Sequence, residues 1–487
     1  MPDFLPVGMQ NVLHSGEPGL RSTAEVKYDF SSDLHLFQVD GCHLAFDVNS
    51  GSLHRLDEVA WHLLQRLACG GDWTLARQET ARYFHPDVVD EAYRELRELQ
   101  DAGQLFTKDQ GWGDFVPGEE LGLKALCLNI AHTCNLSCKY CFVPEQLRSG
   151  KDLMPSEVIR AALDFLIRET PYEFLTVDFF GGEPLLNLDG VRLAVAYALE
   201  QGKGKRWKFT LTTNTSLLDD EALAFFRRYN VSLVLSCDGR PEVHNRYRVT
   251  GNGSGTSSLV ERRLKRFFET GGCGEYFVRG TYTRSNLDFA EDVKYLARLG
   301  ARSVSLEPVV APGDRPYALR YEDLDRLRRE YFRLARLLRE LEASGCRVSF
   351  YHFAFDLKGG PCVAKRLTGC GAGYQYLAVT PAGEIYPCHQ FVGHPDYCLG
   401  DVREGIANPE LRERFRRAHL YNKKSCRSCW ARFLCGGGCH AQAALLEGDL
   451  YHPHPLSCEL MRARLEAALY YMALDQPGKG AKEAAAS

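Results

Sequence analysis

Residues 124–141 read Lys-Ala-Leu-Cys-Leu-Asn-Ile-Ala-His-Thr-Cys-Asn-Leu-Ser-Cys-Lys-Tyr-Cys. Lys124 to Ile130 is an apolar run of strand length, and the chain leaves it through a loop holding Cys134, Cys138 and Cys141. Three thiolates so close together can ligate three irons of a cubane cluster, which has four, so one iron stays open to a further ligand. The competing reading is a zinc knuckle. Zinc sites of the C-x2-C type usually pair two such dipeptides, and this spacing, with Tyr140 before the last cysteine, is different.

Outward from that strand, apolar or β-branched runs alternate with amphipathic helical windows. Leu175 to Phe180, Lys208 to Thr213, Ser232 to Ser236, Tyr276 to Thr281 and Ser303 to Glu307 are each followed by a helical stretch. With the first strand they make six βα units, which predicts an α/β fold: a partial (β/α)6 TIM-like barrel with its chemistry at the carboxyl ends of the strands. After Pro155, Val158, Ala161, Ala162, Phe165 and Leu166 share one helical face. A long helix at 321–344 carries Leu324, Leu327, Leu334, Leu338 and Leu341 as an apolar stripe, with its arginines expected on a solvated face. Upstream, residues 33–108 run strand before helix: Leu34 to Val39, His43 to Asp47, a turn at Asn49-Ser50-Gly51 into Leu53, and a helix capped by Asp57. Two more helical patterns near 74–83 and 86–102 and a closing strand at Gly103 to Thr107 complete the layout of a winged helix. The expected domains are 26–108, then, past a linker at 109–120, the barrel at 121–345, a cysteine-rich domain at 346–470 and a disordered Gly/Lys/Ala-rich tail at 471–487.

Composition narrows the class further. The 487 residues carry 59 basic and 63 acidic side chains, a net charge of -4, which excludes a general nucleic-acid or polyanion binder. Residues 1–25 lack a basic region followed by an apolar one, and no apolar run reaches the roughly 18 residues of a membrane span, so no membrane partner and a cytoplasmic location are expected. There the 18 cysteines stay reduced, and their clustering points to metal rather than disulfides.

At the triad the sequence strongly resembles the radical S-adenosylmethionine superfamily, whose signature is this cysteine pattern with an aromatic before the last cysteine. The resemblance implies a 4Fe-4S cluster on Cys134, Cys138 and Cys141 whose open iron chelates S-adenosylmethionine and cleaves it to a 5′-deoxyadenosyl radical. Tyr140 belongs to the same signature. Gly181-Gly182-Glu183-Pro184 ends the second strand and looks like the family's GGEP loop, whose backbone and glutamate hold the methionine amino group. Thr213, Asn214 and Ser236 look like ribose or carboxylate contacts, and Arg248 is placed like the carboxylate-binding arginine. Plain strand-end hydrogen bonding is the alternative for Thr213, Asn214 and Ser236.

Farther on, Cys370-x12-Gly383-x4-Cys388, Cys426-x2-Cys429-x5-Cys435-x3-Cys439 and Cys458 match the seven-cysteine pattern of SPASM domains. The resemblance implies two auxiliary 4Fe-4S clusters, three clusters in all. Cys426, Cys429, Cys435 and Cys458 would hold one; Cys370, Cys388 and Cys439 would take three positions of the other, completed by Cys362 or by a substrate thiolate. A rubredoxin-like or zinc-ribbon site is the alternative for Cys426 and Cys429.

The winged-helix unit resembles the recognition element that binds the leader of a ribosomally synthesised precursor peptide by strand addition. Phe46 to Gly51, Gly360-Pro361-Cys362 and Tyr386 to Phe391 look like maturases of SCIFF peptides, over about residues 33–470. The resemblance implies intramolecular thioether formation in a cysteine-rich precursor, with an external low-potential donor of flavodoxin or ferredoxin type. Anaerobic sulfatase maturases are the alternative, with other SPASM peptide cross-linking enzymes, of the quinohemoprotein type, close behind. In the sulfatase maturases an aspartate base follows the Gx4C cysteine, where this chain has His389, a candidate base or a structural histidine. A non-enzymatic iron–sulfur electron carrier, which would not bind S-adenosylmethionine, is the third reading.

Overall fold

The computed structural model describes residues 28–109, 122–148, 152–355, 357 and 367–474. The expected linker beyond Asp109, Cys362 and all but the first residues of the expected tail lie outside the described residues. The tail begins later than expected, because the last helix continues to Ala473 and buries that residue.

Six parallel strands pair in chain order: β4 (Ala125–Ala131), β5 (Phe174–Gly181), β6 (Arg206–Thr213), β7 (Ser232–Ser236), β8 (Tyr276–Tyr282) and β9 (Ser303–Pro308). They follow the N-terminal strands β1 (Leu34–Val39), β2 (Cys42–Asp47) and β3 (Leu53–Leu56), which form a separate antiparallel sheet. A short β10 (Ser349–Phe350) extends the large sheet beyond β9. On the other edge β11 (Tyr376–Val379) lies parallel to β4 and leads into the antiparallel β12 (Glu384–Tyr386), β13 (Gly400–Asp401) and β14 (Gly405–Ile406). The six βα units expected from the apolar runs are thus an α/β parallel sheet consistent with a partial barrel.

Register assigns the faces. Successive side chains of a strand alternate sides. Leu126, Leu128, Val177, Phe179, Leu211, Leu233, Leu235, Val278, Val304 and Leu306 are fully buried on one side. Tyr282, of the same parity as Val278, stacks on Phe289 and bonds Tyr331, so this side faces the helices. The other side is polar: Cys127 lies beside Asp178, Asp178 beside Thr210, Ser236 beside Arg279, Arg279 beside Ser305, and Thr281 beside Glu307. The inside of the curved sheet therefore carries ionisable groups, while the apolar side supplies the core, each large side chain contributing about 1.5–3 kcal/mol.

The helix after β9, α9 once α1–α8 are counted as Glu58–Ala68, Trp73–Thr80, Pro86–Asp101, Ser156–Glu169, Leu188–Gln201, Asp220–Arg228, Ser257–Glu269 and Phe289–Leu299, spans Leu324–Ala343. Its arginines do not form a merely solvated face. Arg328 bonds Glu466, Arg336 bonds Asp40 and Arg339 bonds the Tyr471 carbonyl, because the final helix α10 (Pro455–Ala473) and the β1–β2 turn pack alongside it.

In the N-terminal unit Asp57 caps α1 as expected, its carboxylate accepting from the Ala60 N–H at 2.7 Å. The expected closing strand at Gly103 to Thr107 is absent; the segment has no ladder partner and instead wraps onto the turn after β2. Thr107 donates to Asp47 from its N–H at 3.1 Å, and Asn49 donates to its carbonyl. The third strand is Leu53–Leu56, which the sequence marks only through Leu53. This unit docks on the cysteine-rich region through Arg432, which is buried and bonds Asp33 at 2.5 Å, the Asn49 amide oxygen at 2.8 Å and the Ser32 carbonyl at 2.7 Å.

Two predictions follow from these buried charges. Asp33→Ala leaves the Arg432 guanidinium buried without its carboxylate, a loss of about 3–5 kcal/mol; faster hydrogen exchange across residues 34–47 is the expected readout. Burial raises the Asp178 carboxyl from 3.8 to about 6, against opposing help from Thr210 and Lys208. A raised folded value penalises the ionised form, so the penalty is absent below pH 3.8 and complete above pH 6. Asp178→Asn should therefore stabilise the protein by about 3 kcal/mol at pH 8 and about half that at pH 5, read from urea midpoints; an equal gain at both values would contradict this.

Candidate functional site at the carboxyl ends of the parallel strands

The cysteine loop leaves β4 and is pinned to the segment after β7. The Ser137 N–H donates to the Val249 carbonyl at 2.7 Å and the Lys139 N–H to the Tyr247 carbonyl at 2.9 Å. This gathers Cys134, Cys138 and Cys141. Burial pushes the Cys134 thiol up to about 12, with Glu183, Cys138 and Cys141 adding to the rise. Among the described residues no three His, Cys, Asp or Glu side chains converge closely enough for a single ion.

The Gly181-Gly182-Glu183 turn at the end of β5 packs directly on this loop. Gly181 has φ +123°, and a Cβ there would overlap the Ala131 carbonyl; at Gly182 it would overlap that of Thr133. The close approach the glycines permit is therefore to the cysteine-bearing backbone, with Gly182 N–H bonding Ala131 O at 2.7 Å and Glu183 N–H bonding Thr133 O at 2.9 Å. The Glu183 carboxylate is fully buried and accepts from the Thr213 hydroxyl (2.7 Å) and from the N–H groups of Asn214 (2.7 Å) and Leu185 (3.0 Å). In this structure Glu183 and Thr213 bind each other. The Asn214 amide reaches Asn135 at 2.8 Å and the Cys134 sulfur at 3.8 Å, tying the end of β6 to the triad.

Tyr140 and Arg248 meet on Asp238, a residue the sequence reading passed over. Asp238 is 1% exposed and accepts from the Tyr140 hydroxyl (2.5 Å), the Arg248 guanidinium (3.0 Å) and the Thr281 N–H (2.9 Å). The Arg248 guanidinium also lies 5.6 Å from the Tyr140 ring centre. Ser236 ends β7 beside Arg279, its carbonyl accepting from Thr215.

The later cysteines separate into two groups. Cys458 is pushed up to about 12 by burial and by Cys435, Cys426 and Cys429, which surround it. Burial raises Cys388, and Cys370 and Cys439 raise it further. The structure thus brings Cys458 near Cys426, Cys429 and Cys435, and Cys388 near Cys370 and Cys439. Lys423 is wholly buried, donates to the Gly437 carbonyl at 2.7 Å and feels Cys426 and Cys435 of one set and Cys370 and Cys439 of the other. The parallel pairing of β11 with β4 brings the second set to the barrel. His389, next to Cys388, lies 4.7 Å from the Phe180 ring and 5.7 Å from that of Phe142, which follows Cys141. Its Nδ1 is 3.3 Å from the Tyr376 hydroxyl, and burial pushes its pKa down to about 4.

Comparison with known proteins agrees with this arrangement. Residues 128–278 match the model of the Radical SAM superfamily, and residues 370–430 that of the SPASM iron–sulfur cluster-binding domain. A PqqA peptide cyclase of Rhodopseudomonas palustris is 26% identical over 69% of this chain and 86% of its own length. The solved structure of native anSMEcpe with bound AdoMet and Kp18Cys peptide superposes with a TM-score of 0.61 at 22% identity, over 73% of this chain and 99% of that one. Streptococcus suis SuiB bound to S-adenosylmethionine gives 0.51 at 16% identity, over 88% and 98%. These two likenesses are of fold.

The donor sets fit such cofactors. Buried, mutually crowded thiols that resist ionisation as free groups become thiolates when a cationic cluster takes them. The chain thus carries a radical S-adenosylmethionine domain over residues 128–278 and a SPASM domain over residues 370–430, and its cofactors are S-adenosylmethionine and iron–sulfur clusters.

Proposed function

We propose that this chain is a peptide maturase that forms thioether cross-links within a ribosomally synthesised, cysteine-rich precursor of SCIFF type. One observation carries the reading: the triad loop and the Cys370, Cys388, Cys439 set meet at one aromatic cluster, in which His389, next to Cys388, packs on Phe180 and on Phe142, next to Cys141. A peptide bound beside this junction would reach both. In this reading Cys134, Cys138 and Cys141 hold the cluster that binds S-adenosylmethionine, and Cys426, Cys429, Cys435 and Cys458 hold a second. Cys370, Cys388 and Cys439 hold the third, with Cys362 or a substrate thiolate as its last ligand. S-adenosylmethionine, when bound, supplies a carbon radical that takes a hydrogen atom from the peptide.

The protein's own residues position and shield. Glu183, Thr213 and Asn214 keep the triad loop in place, Asp238 holds Tyr140 and Arg248 at the rim, and Phe142 and Phe180 keep water from the reacting carbon. His389 is the candidate proton acceptor for the substrate thiol. The winged-helix-like unit at 26–108 would take the leader by strand addition, beside a groove of about 500 Å³ between β1 and α1 lined by Phe37 and Trp61. An external flavodoxin- or ferredoxin-type donor would feed electrons to the clusters. Support comes from the relatives, a peptide cyclase and a structure holding a peptide. Among the described residues no helix is long and apolar enough to cross a membrane.

Changing Cys134, Cys138 and Cys141 together to alanine should abolish 5′-deoxyadenosine formation while the absorbance of the auxiliary clusters persists; undiminished deoxyadenosine would refute the triad's role. Co-expression with a neighbouring cysteine-rich peptide should remove two hydrogens per cross-link, in a form that resists thiol alkylation and reduction. An aldehyde in place of a cysteine would instead identify the sulfatase-maturase chemistry.

A further inference from the structure

On the inner face of the sheet, two guanidiniums, Arg279 and Arg464, surround the single carboxylate of Glu307. Glu307, at the end of β9, has both carboxylate oxygens engaged: His352 Nε2 lies 3.0 Å from one and the Arg464 guanidinium 3.3 Å from the other. His352 Nε2 is also 3.0 Å from the Ser305 hydroxyl, and burial holds this imidazole below its ordinary value, as the neutral ring. Arg279, on the same inner face of β8, feels Glu307, His352, Tyr351 and His389. Glu307 is the sole carboxylate among these neighbours and is already occupied. The Arg279 side chain makes no hydrogen bond or ion pair among the described residues and is partly exposed, so the five N–H donors of its guanidinium are open to a ligand. Its backbone lies beside Ser236 and Ser305 near the carboxyl ends of the strands, and its charge is felt at His389, next to Cys388.

We propose that Arg279 anchors a carboxylate of the peptide substrate, an acidic side chain or the peptide's own carboxy terminus, and so sets which residue is presented for reaction. A bidentate guanidinium–carboxylate pair would satisfy its donors and balance the surplus charge of Arg279 and Arg464 over Glu307. This deepens the peptide-maturase reading and rests on it.

The test is calorimetric titration of the anaerobically reconstituted, S-adenosylmethionine-loaded full chain with three probes: Ac-Gly-Glu-Gly-NH2, Ac-Gly-Gln-Gly-OH and the neutral Ac-Gly-Gln-Gly-NH2. At least one carboxylate probe should bind tenfold or more tightly than the neutral one, and which of the two does so tells side chain from terminus. Arg279→Gln should erase that preference and Arg279→Lys retain part of it. Glu307→Gln, which removes the competing carboxylate, should strengthen carboxylate binding several-fold, a gain that misfolding cannot mimic. Equal binding of all three probes, a preference that survives Arg279→Gln, or a loss of S-adenosylmethionine affinity in that variant large enough to explain the peptide loss would overturn the proposal. Deoxyadenosine formation by the unaltered protein in the same preparations keeps the two questions apart. Its absence sinks the enzyme reading, whereas its presence without carboxylate preference sinks only the assignment of Arg279.

Discussion

Strand β4 is hydrogen-bonded on both sides, to β5 of the barrel and to β11 of the cysteine-rich region, both parallel to it. That double pairing is the constraint on which the rest of the site depends. The triad loop leaves the end of β4, the glycine turn leaves the end of β5, and Cys388 follows β12, one hairpin beyond β11. Three segments far apart in the chain are thereby brought together, His389 beside Cys388 packing on Phe180 and on Phe142. Because a one-residue slip would turn every inner side chain outward, the register that buries Leu126 and Leu128 also fixes Cys127, Asp178 and Tyr376 inside.

Above the sheet the site is held by buried carboxylates, each saturated with donors. Glu183 joins the ends of β5 and β6, Asp238 joins the triad loop to β7 and β8, and Glu307 joins β9 to His352 and to Arg464 on the final helix. A buried carboxylate is tolerated only where donors surround it, and each set of donors comes from different elements. Such groups fix geometry more than they add stability, which is what a cavity for radical chemistry requires of its walls.

The alternation of apolar runs with helical windows was readable because it follows from local periodicity, and so were six strands within a residue or two of their observed ends. The cysteine sets were readable because their spacing is local or matches a known pattern. Gly103 to Thr107 looked like a strand because strand propensity is indifferent to whether a partner exists; the segment finds Asp47 instead. The arginines of α9 looked solvated because helical periodicity cannot reveal that α10, more than a hundred residues later, lies beside them.

Asp238, Arg279, Glu307, Lys423 and Arg432 left no mark in the sequence. Each is a charged residue of ordinary local context, and its meaning arises from being enclosed by elements distant along the chain. Sequence by itself determined the βα order, the cysteine groupings and the chemistry those groupings admit, since periodicity and ligand spacing are short-range properties. Only the tertiary structure decided which charges are buried, which are paired and which one is left over, since burial and Coulomb interaction depend on distance through space.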